Sequence, residues 1–65
     1  MFNQGDIWYS KLDNVHFLIL DEEEITWNEH GEEQSRSYLI LELESGITEV
    51  VIIWNSEKDY WDLVA

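Results

Sequence analysis

Fifteen carboxylates, two histidines and three basic side chains are the groups in this 65-residue chain that could do chemistry. A general base or a metal centre built from them needs His16 or His30 set against carboxylates. His16 falls inside the apolar run VHFLIL, Val15 to Leu20, and reads as a structural position. His30, between Glu29 and Gly31-Glu32-Glu33, reads as a loop residue that could at most meet a divalent ion. The run Asp21-Glu22-Glu23-Glu24 lacks the alternating oxygen ligands and internal glycine of a dedicated calcium loop. There is no HExxH spacing, no serine elbow and no glycine-rich phosphate loop. Paired carboxylates for glycoside chemistry need a cleft that so short a chain has little material to build. Cysteine is absent, which removes disulfides, zinc–thiolate sites and thiol nucleophiles. The expectation is a protein that is not an enzyme and that holds no cofactor and no metal.

Charge is what the composition states most clearly. Fifteen acidic residues against three basic ones give a formal net charge of −12. A chain so acidic is often disordered, but 45% of its residues are hydrophobic, nine are aromatic, and the apolar ones come in alternating blocks. Folding is therefore expected. The charge repels nucleic acid and anionic membranes and steers the protein toward basic surfaces. No apolar run approaches the ~20 residues of a membrane span. The opening MFNQGDIWYS has neither the basic start nor the apolar stretch of a signal peptide, so a soluble, cytoplasmic protein is expected.

The stretch YLILELESGITEVVIIW, Tyr38 to Trp54, carries the binding question. Folded as a hairpin about Ser45-Gly46, it pairs Glu42 with Glu49, Leu41 with Val50, Ile40 with Val51, Leu39 with Ile52 and Tyr38 with Ile53. One face then holds Leu39, Leu41, Leu43, Thr48, Val50, Ile52 and Trp54, and is expected to be the core face. The other holds Tyr38, Ile40, Glu42, Glu44, Ile47, Glu49, Val51 and Ile53. This second face is acidic near the turn and apolar toward the strand ends. Its apolar end needs a cover: neighbouring strands of the same fold, a second copy, or a foreign partner. Tyr38, Ile40, Glu42, Glu44, Glu49, Val51 and Ile53 are accordingly the candidate partner-binding residues.

The elements that would position these groups are strands. Ile7-Trp8-Tyr9 after Gly5-Asp6, Val15 to Leu20, Ile25 to Glu29, Ser37 to Glu44, Ile47 to Trp54 and Tyr60 to Val64 each read as extended, separated by turn-rich segments. Asp21-Glu22-Glu23-Glu24 is expected to end the second strand. A helix over 22–34 capped by Asp21 is the alternative, but Ile25 and Trp27 lie two apart, which suits a strand. Five or six short strands in one domain, residues 1–65, predict an all-β fold: a small, strongly bent antiparallel sheet or SH3-like barrel. The Gly-Asp turn feeding an aromatic strand and the closing Tyr-Trp-Asp-Leu-Val look like the way such barrels begin and end. Trp8, Tyr9, Trp27, Tyr38, Trp54, Tyr60 and Trp61 exceed what so small a core can enclose, so some are expected to line a groove able to hold a peptide or a methylated cation.

The functional expectation is a small acidic binding protein for a basic protein surface, including the surface of a nucleic-acid-binding protein. Glu42 and Glu44, about 6.8 Å apart on an extended strand, would match two ~3.4 Å rises of a DNA strand. In size and acidity the chain resembles the proteins, many of them short and phage-encoded, that inhibit by occupying DNA-binding clefts through charge mimicry. The alternative is an SH3-like structural or regulatory module that homodimerises through Tyr38, Ile40, Val51 and Ile53 or binds a peptide in its aromatic groove.

Overall fold

The structure, a computed structural model, describes residues 2–65. The chain forms β1 (Ile7–Ser10), β2 (Val15–Trp27), β3 (Glu33–Glu42), β4 (Thr48–Trp54), a 3-10 helix η1 (Asn55–Tyr60) and β5 (Trp61–Leu63). All pairings are antiparallel, in the order β4-β3-β2-β1-β5. The expectation of an all-β chain holds, but that of an SH3-like barrel or strongly bent sheet is corrected. The two edge strands, β4 and β5, do not pair with each other, so the sheet is open. Closure would need a ladder between those edges, and β5 has only three residues to offer.

The acidic run does not end the second strand. β2 extends for 13 residues through Asp21-Glu22-Glu23-Glu24, and register shifts against β3 fall between Ile19 and Asp21 and between Glu22 and Glu24. Each bulge inserts an unpaired residue and adds local twist, so all four acids reach solvent while the backbone ladder continues. The β2–β3 connection is tied by Asn28, whose Oδ1 accepts hydrogen bonds from the backbone N–H of His30 (2.9 Å) and Glu32 (3.0 Å).

The core lies on one face of the sheet: Phe2, Phe17, Ile19, Tyr38, Ile40 and Ile53, with Trp8, Val51 and Trp61 packed against it. This inverts the expected sidedness of the central hairpin. Tyr38, Ile40 and Ile53 are 1%, 2% and 5% exposed, whereas Val50 and Ile52 are 56% and 57% exposed and Leu39 and Leu41 only half-buried. The cover for the Tyr38 face is the protein itself. Phe2 folds onto it with ring centroids 5.4 Å from Tyr38 and 4.2 Å from Trp8, and Trp61 meets Phe17 edge-on at 5.3 Å. Aromatic pairs at these separations add to area burial, and all of them come from this one face.

The hairpin register is also shifted. β3 and β4 pair Leu41 with Thr48, Ile40 with Glu49, Leu39 with Val50 and Tyr38 with Val51. The connection is the four-residue turn Leu43-Glu44-Ser45-Gly46 rather than a two-residue one, closed by Glu42 N–H donating to Ile47 O and Gly46 N–H donating to Glu42 O, both at 2.8 Å. Gly46 has φ +74°, a conformation glycine adopts without steric cost. Glu42 and Glu49 are therefore diagonal rather than opposed, and the like-charge rung expected from the sequence does not exist.

Candidate functional site: an acidic concavity at the open end of the core

The two-residue shift leaves the same residues sharing each face of the hairpin but changes their neighbours across the ladder. On the core face, β3 presents Tyr38, Ile40 and Glu42 in succession, and β4 presents Glu49, Val51 and Ile53 alongside. Toward the strand ends these are buried; toward the turn they give way to acid. At that junction the sheet opens into a concavity of about 290 Å3. Its floor is Phe17, Ile40, Val51 and Trp61, and its walls are Ser10, Asp13, Val15, Glu42 and Glu49.

Three elements set the carboxylates. Glu42 stands opposite Phe17 on the β2–β3 ladder, and Glu49 opposite Ile40 on the β3–β4 ladder. As diagonal neighbours across an antiparallel pair, their Cα atoms are roughly 7–8 Å apart, a spacing at which both can approach one cation. Asp13 closes the third side from the β1–β2 turn. Its backbone N–H donates to Ser10 Oγ at 3.2 Å, and Ser10 Oγ lies 3.5 Å from Asp13 Oδ2. That turn is held by Asn14, which takes φ +56° and accepts a 2.7 Å hydrogen bond from Tyr9 Oη.

Among the described residues none of these carboxylates is paired with a cation. Lys11 Nζ lies 3.5 Å from Asp62 Oδ1. Arg36 is divided between Glu33, 2.6 Å from Nη2, and Glu22, 3.3 Å from Nη1. Its hydrogen bond holds the Glu33 carboxyl below the ordinary carboxylate value of 4.5, and the same bond raises the guanidinium. Lys58 lines a separate recess of about 20 Å3 with Phe2, Glu33, Arg36 and Tyr38. That recess has room for little more than a water molecule. The 290 Å3 concavity, by contrast, approaches the lower limit of small-molecule pockets, roughly 300 Å3.

The seven residues expected to meet a partner divide three ways. Ile40, Glu42, Glu49 and Val51 converge on the concavity. Tyr38 and Ile53 lie in the core and reach only the small recess beside Arg36 and Lys58. Glu44 belongs to the turn, where its carboxylate accepts from His16 N–H at 2.8 Å and lies 2.8 Å from His16 Nδ1. Hydrogen bonding to the His16 ring, then to the His16 backbone, lowers the Glu44 pKa from 4.5. β3 ends at Glu42 and Glu44 lies in the turn, so the two carboxylates do not share the extended strand for which a ~6.8 Å spacing is expected.

The aromatic residues are dispersed rather than gathered in one groove. Tyr38 is core, Trp8 and Trp61 pack against it, and Trp27, Trp54 and Tyr60 are exposed. Of the seven weighed from the sequence, Trp61 alone lines the concavity. Ser10, Asp13 and Phe17 were not legible as site residues, because only the β1–β2 pairing and the bulge-free start of β2 bring them beside Glu42. His16 is bound by Glu44, and His30 Nε2 lies 3.5 Å from Glu29 Oε1 in an exposed loop; neither lines either concavity. Among the described residues no group of three histidine, aspartate or glutamate side chains is placed to hold a metal ion.

Fold and site together define a small, acidic, open antiparallel sheet with an acid-walled apolar concavity. No protein-family model, no curated protein and no solved structure matches the chain. Among the described residues, no helix is long and apolar enough to cross a membrane.

Proposed function

We propose that this chain is a small acidic binding protein that associates with a basic protein surface by seating a lysine or arginine side chain of that surface in the Asp13, Glu42 and Glu49 concavity. The observation that carries this reading is the combination of three uncompensated carboxylates with a floor of Phe17, Ile40, Val51 and Trp61. A long cationic side chain has matching parts: an apolar stem for the floor and a charged head for the walls. Arginine suits it best, since its planar guanidinium offers several donors to carboxylates and stacks on an aromatic face such as Trp61. The net charge of −12 acts at longer range, accelerating encounter with a basic partner.

Calorimetric titration with an oligoarginine peptide tests this reading. Binding is expected at roughly 0.01 M salt and is lost near 1 M, as the screening length falls from about 30 Å to about 3 Å. At low salt, the double substitution Glu42→Gln/Glu49→Gln should weaken binding by about tenfold or more, the equivalent of ~1.4 kcal/mol. The same charge change made on the β2 ribbon, Glu23→Gln/Glu24→Gln, should weaken it far less. Equal losses from the two double variants would reduce the interaction to non-specific charge and reject the concavity as the site.

A further inference from the structure

The two edges of the sheet are unequal. β5 is three residues long and carries Asp62, which is matched by Lys11. β4 is seven residues long, TEVVIIW, with one charge, no proline and no register shift against β3. Long, flat, weakly charged edges pair with other strands unless they are blunted. Among the described residues, no backbone hydrogen bond of Thr48 to Ile53 runs anywhere but to β3.

The ladder shows which groups are free. Glu42 N–H donates to Ile47 O toward β4, while Leu43 N–H donates to His16 O toward β2. Hydrogen-bonded and non-bonded pairs alternate along an antiparallel ladder, so Glu49, Val51 and Ile53 bond to β3, and Thr48, Val50 and Ile52 turn their N–H and C=O outward. We infer that this edge pairs with the β4 edge of a second copy of the chain, antiparallel and centred on Val51.

Symmetry and charge select that register. Centred on Val51, all seven residues overlap. Val50 and Ile52 of each copy exchange their outward N–H···O bonds, and Val51 faces its own equivalent in a non-bonded pair. Glu49 then faces Ile53, and the two Glu49 carboxylates are about 13–14 Å apart along the strands, beyond the ~8 Å screening length at physiological salt. Centring on Glu49 would set that carboxylate against its own copy. The exposed side chains of Val50 and Ile52, 56% and 57% in the monomer, meet across the junction and continue the apolar outer face. The two-fold axis runs through the sheet from face to face, so the two concavities open on the same side. The dimer itself does not depend on what the concavity binds.

Sedimentation velocity and single-cysteine crosslinking of the full chain test the pairing, and the absence of native cysteine makes an introduced thiol specific. The wild-type chain should sediment as a dimer. Under mild oxidation Val51→Cys should crosslink about tenfold or more faster than Glu49→Cys, because only the former brings two Cα atoms within disulfide range, about 4.4–6.8 Å. Ile52→Pro removes an outward N–H without touching the β3 ladder, and Val50→Lys places a charge on an already exposed side chain. Both should give monomers with an unchanged far-UV spectrum; if the proline variant does not fold, the lysine variant decides. A monomeric wild-type chain, which would leave the edge to a foreign strand, overturns the inference. So does a dimer that survives Val50→Lys, or equal crosslinking at positions 49 and 51.

Discussion

Ile40 lies directly opposite Glu49 across the β3–β4 ladder, so one rung joins a side chain that is 2% exposed to a carboxylate in solvent. On the turn side of this rung the core face is acidic, and beyond it the face is packed under Phe2. The concavity is where the two meet, and the free carboxylates sit there because the core ends there.

Conservative substitutions should reveal the sidedness of the hairpin. Ile40→Val and Ile53→Val are each expected to lower unfolding free energy by about 0.5–1.5 kcal/mol, the range for losing one buried methylene. Val50→Thr and Ile52→Thr, on the exposed outer face, should stay within about 0.5 kcal/mol when measured under monomeric conditions. Urea denaturation of the four variants distinguishes the observed core from the opposite one, for which the two pairs would exchange places.

Salt should move stability and binding in opposite directions. A chain of net charge −12 destabilises its own compact state by self-repulsion, so added sodium chloride should raise the thermal midpoint while weakening association with a cationic peptide. Differential scanning calorimetry and peptide titration over one salt series check both signs. A midpoint that falls with salt would mean that the Lys11 and Arg36 pairs outweigh the repulsion.

Acid should loosen the turn that frames the site. The folded-state pKa of Glu44 is depressed by its hydrogen bonds to His16, so the stabilisation it contributes is full above its unfolded value. It is lost as pH falls through the lower folded value. Urea midpoints for wild type and Glu44→Gln should therefore differ most well above the ordinary carboxylate value, at about pH 5.5, and converge as pH falls through the lowered folded value. Glu33, depressed by Arg36, should give the same sign in Glu33→Gln. A gap that widens on acidification would contradict this linkage.

The register depends on the turn as well as on the strands. Gly46 holds φ +74° with open space where a side chain would point, so Gly46→Ala is penalised by backbone strain alone, about 1–2 kcal/mol. D-alanine at the same position, introduced by chemical synthesis, accepts this φ and should stabilise the chain by roughly 0.4–1 kcal/mol through reduced freedom in the unfolded state. Thermal denaturation of the two stereoisomers measures the difference. Equal midpoints would show that the turn does not hold this conformation in solution.

The extended character of the chain and most strand positions were legible from alternation and turn residues. Which face of the central hairpin is buried was not, because both faces are apolar over half their length. Glu42 and Glu49 made one of them look solvent-facing, although they mark only its open end. The cover comes from Phe2, Phe17 and Trp61, far away in sequence, and hairpin periodicity carries no information about them. The bulges in β2 were equally hidden: Asp21 to Glu24 has the composition of a turn, and only pairing with β3 makes it strand. Barrel closure was inferred from strand number, while the ladder between the edge strands that decides it leaves no periodic signal.

The most direct test of the proposed binding mode is a nitrogen-15 correlation NMR titration of the labelled chain with oligoarginine at low salt. The expected result is a cluster of shifting amides around Asp13, Phe17, Glu42, Glu49 and the Trp61 indole, with the β2 ribbon at Glu23 and Glu24 little affected. Shifts that follow the acidic residues wherever they lie, or that leave Glu42, Glu49 and Trp61 unmoved, would contradict a built cation site and leave only diffuse attraction by net charge.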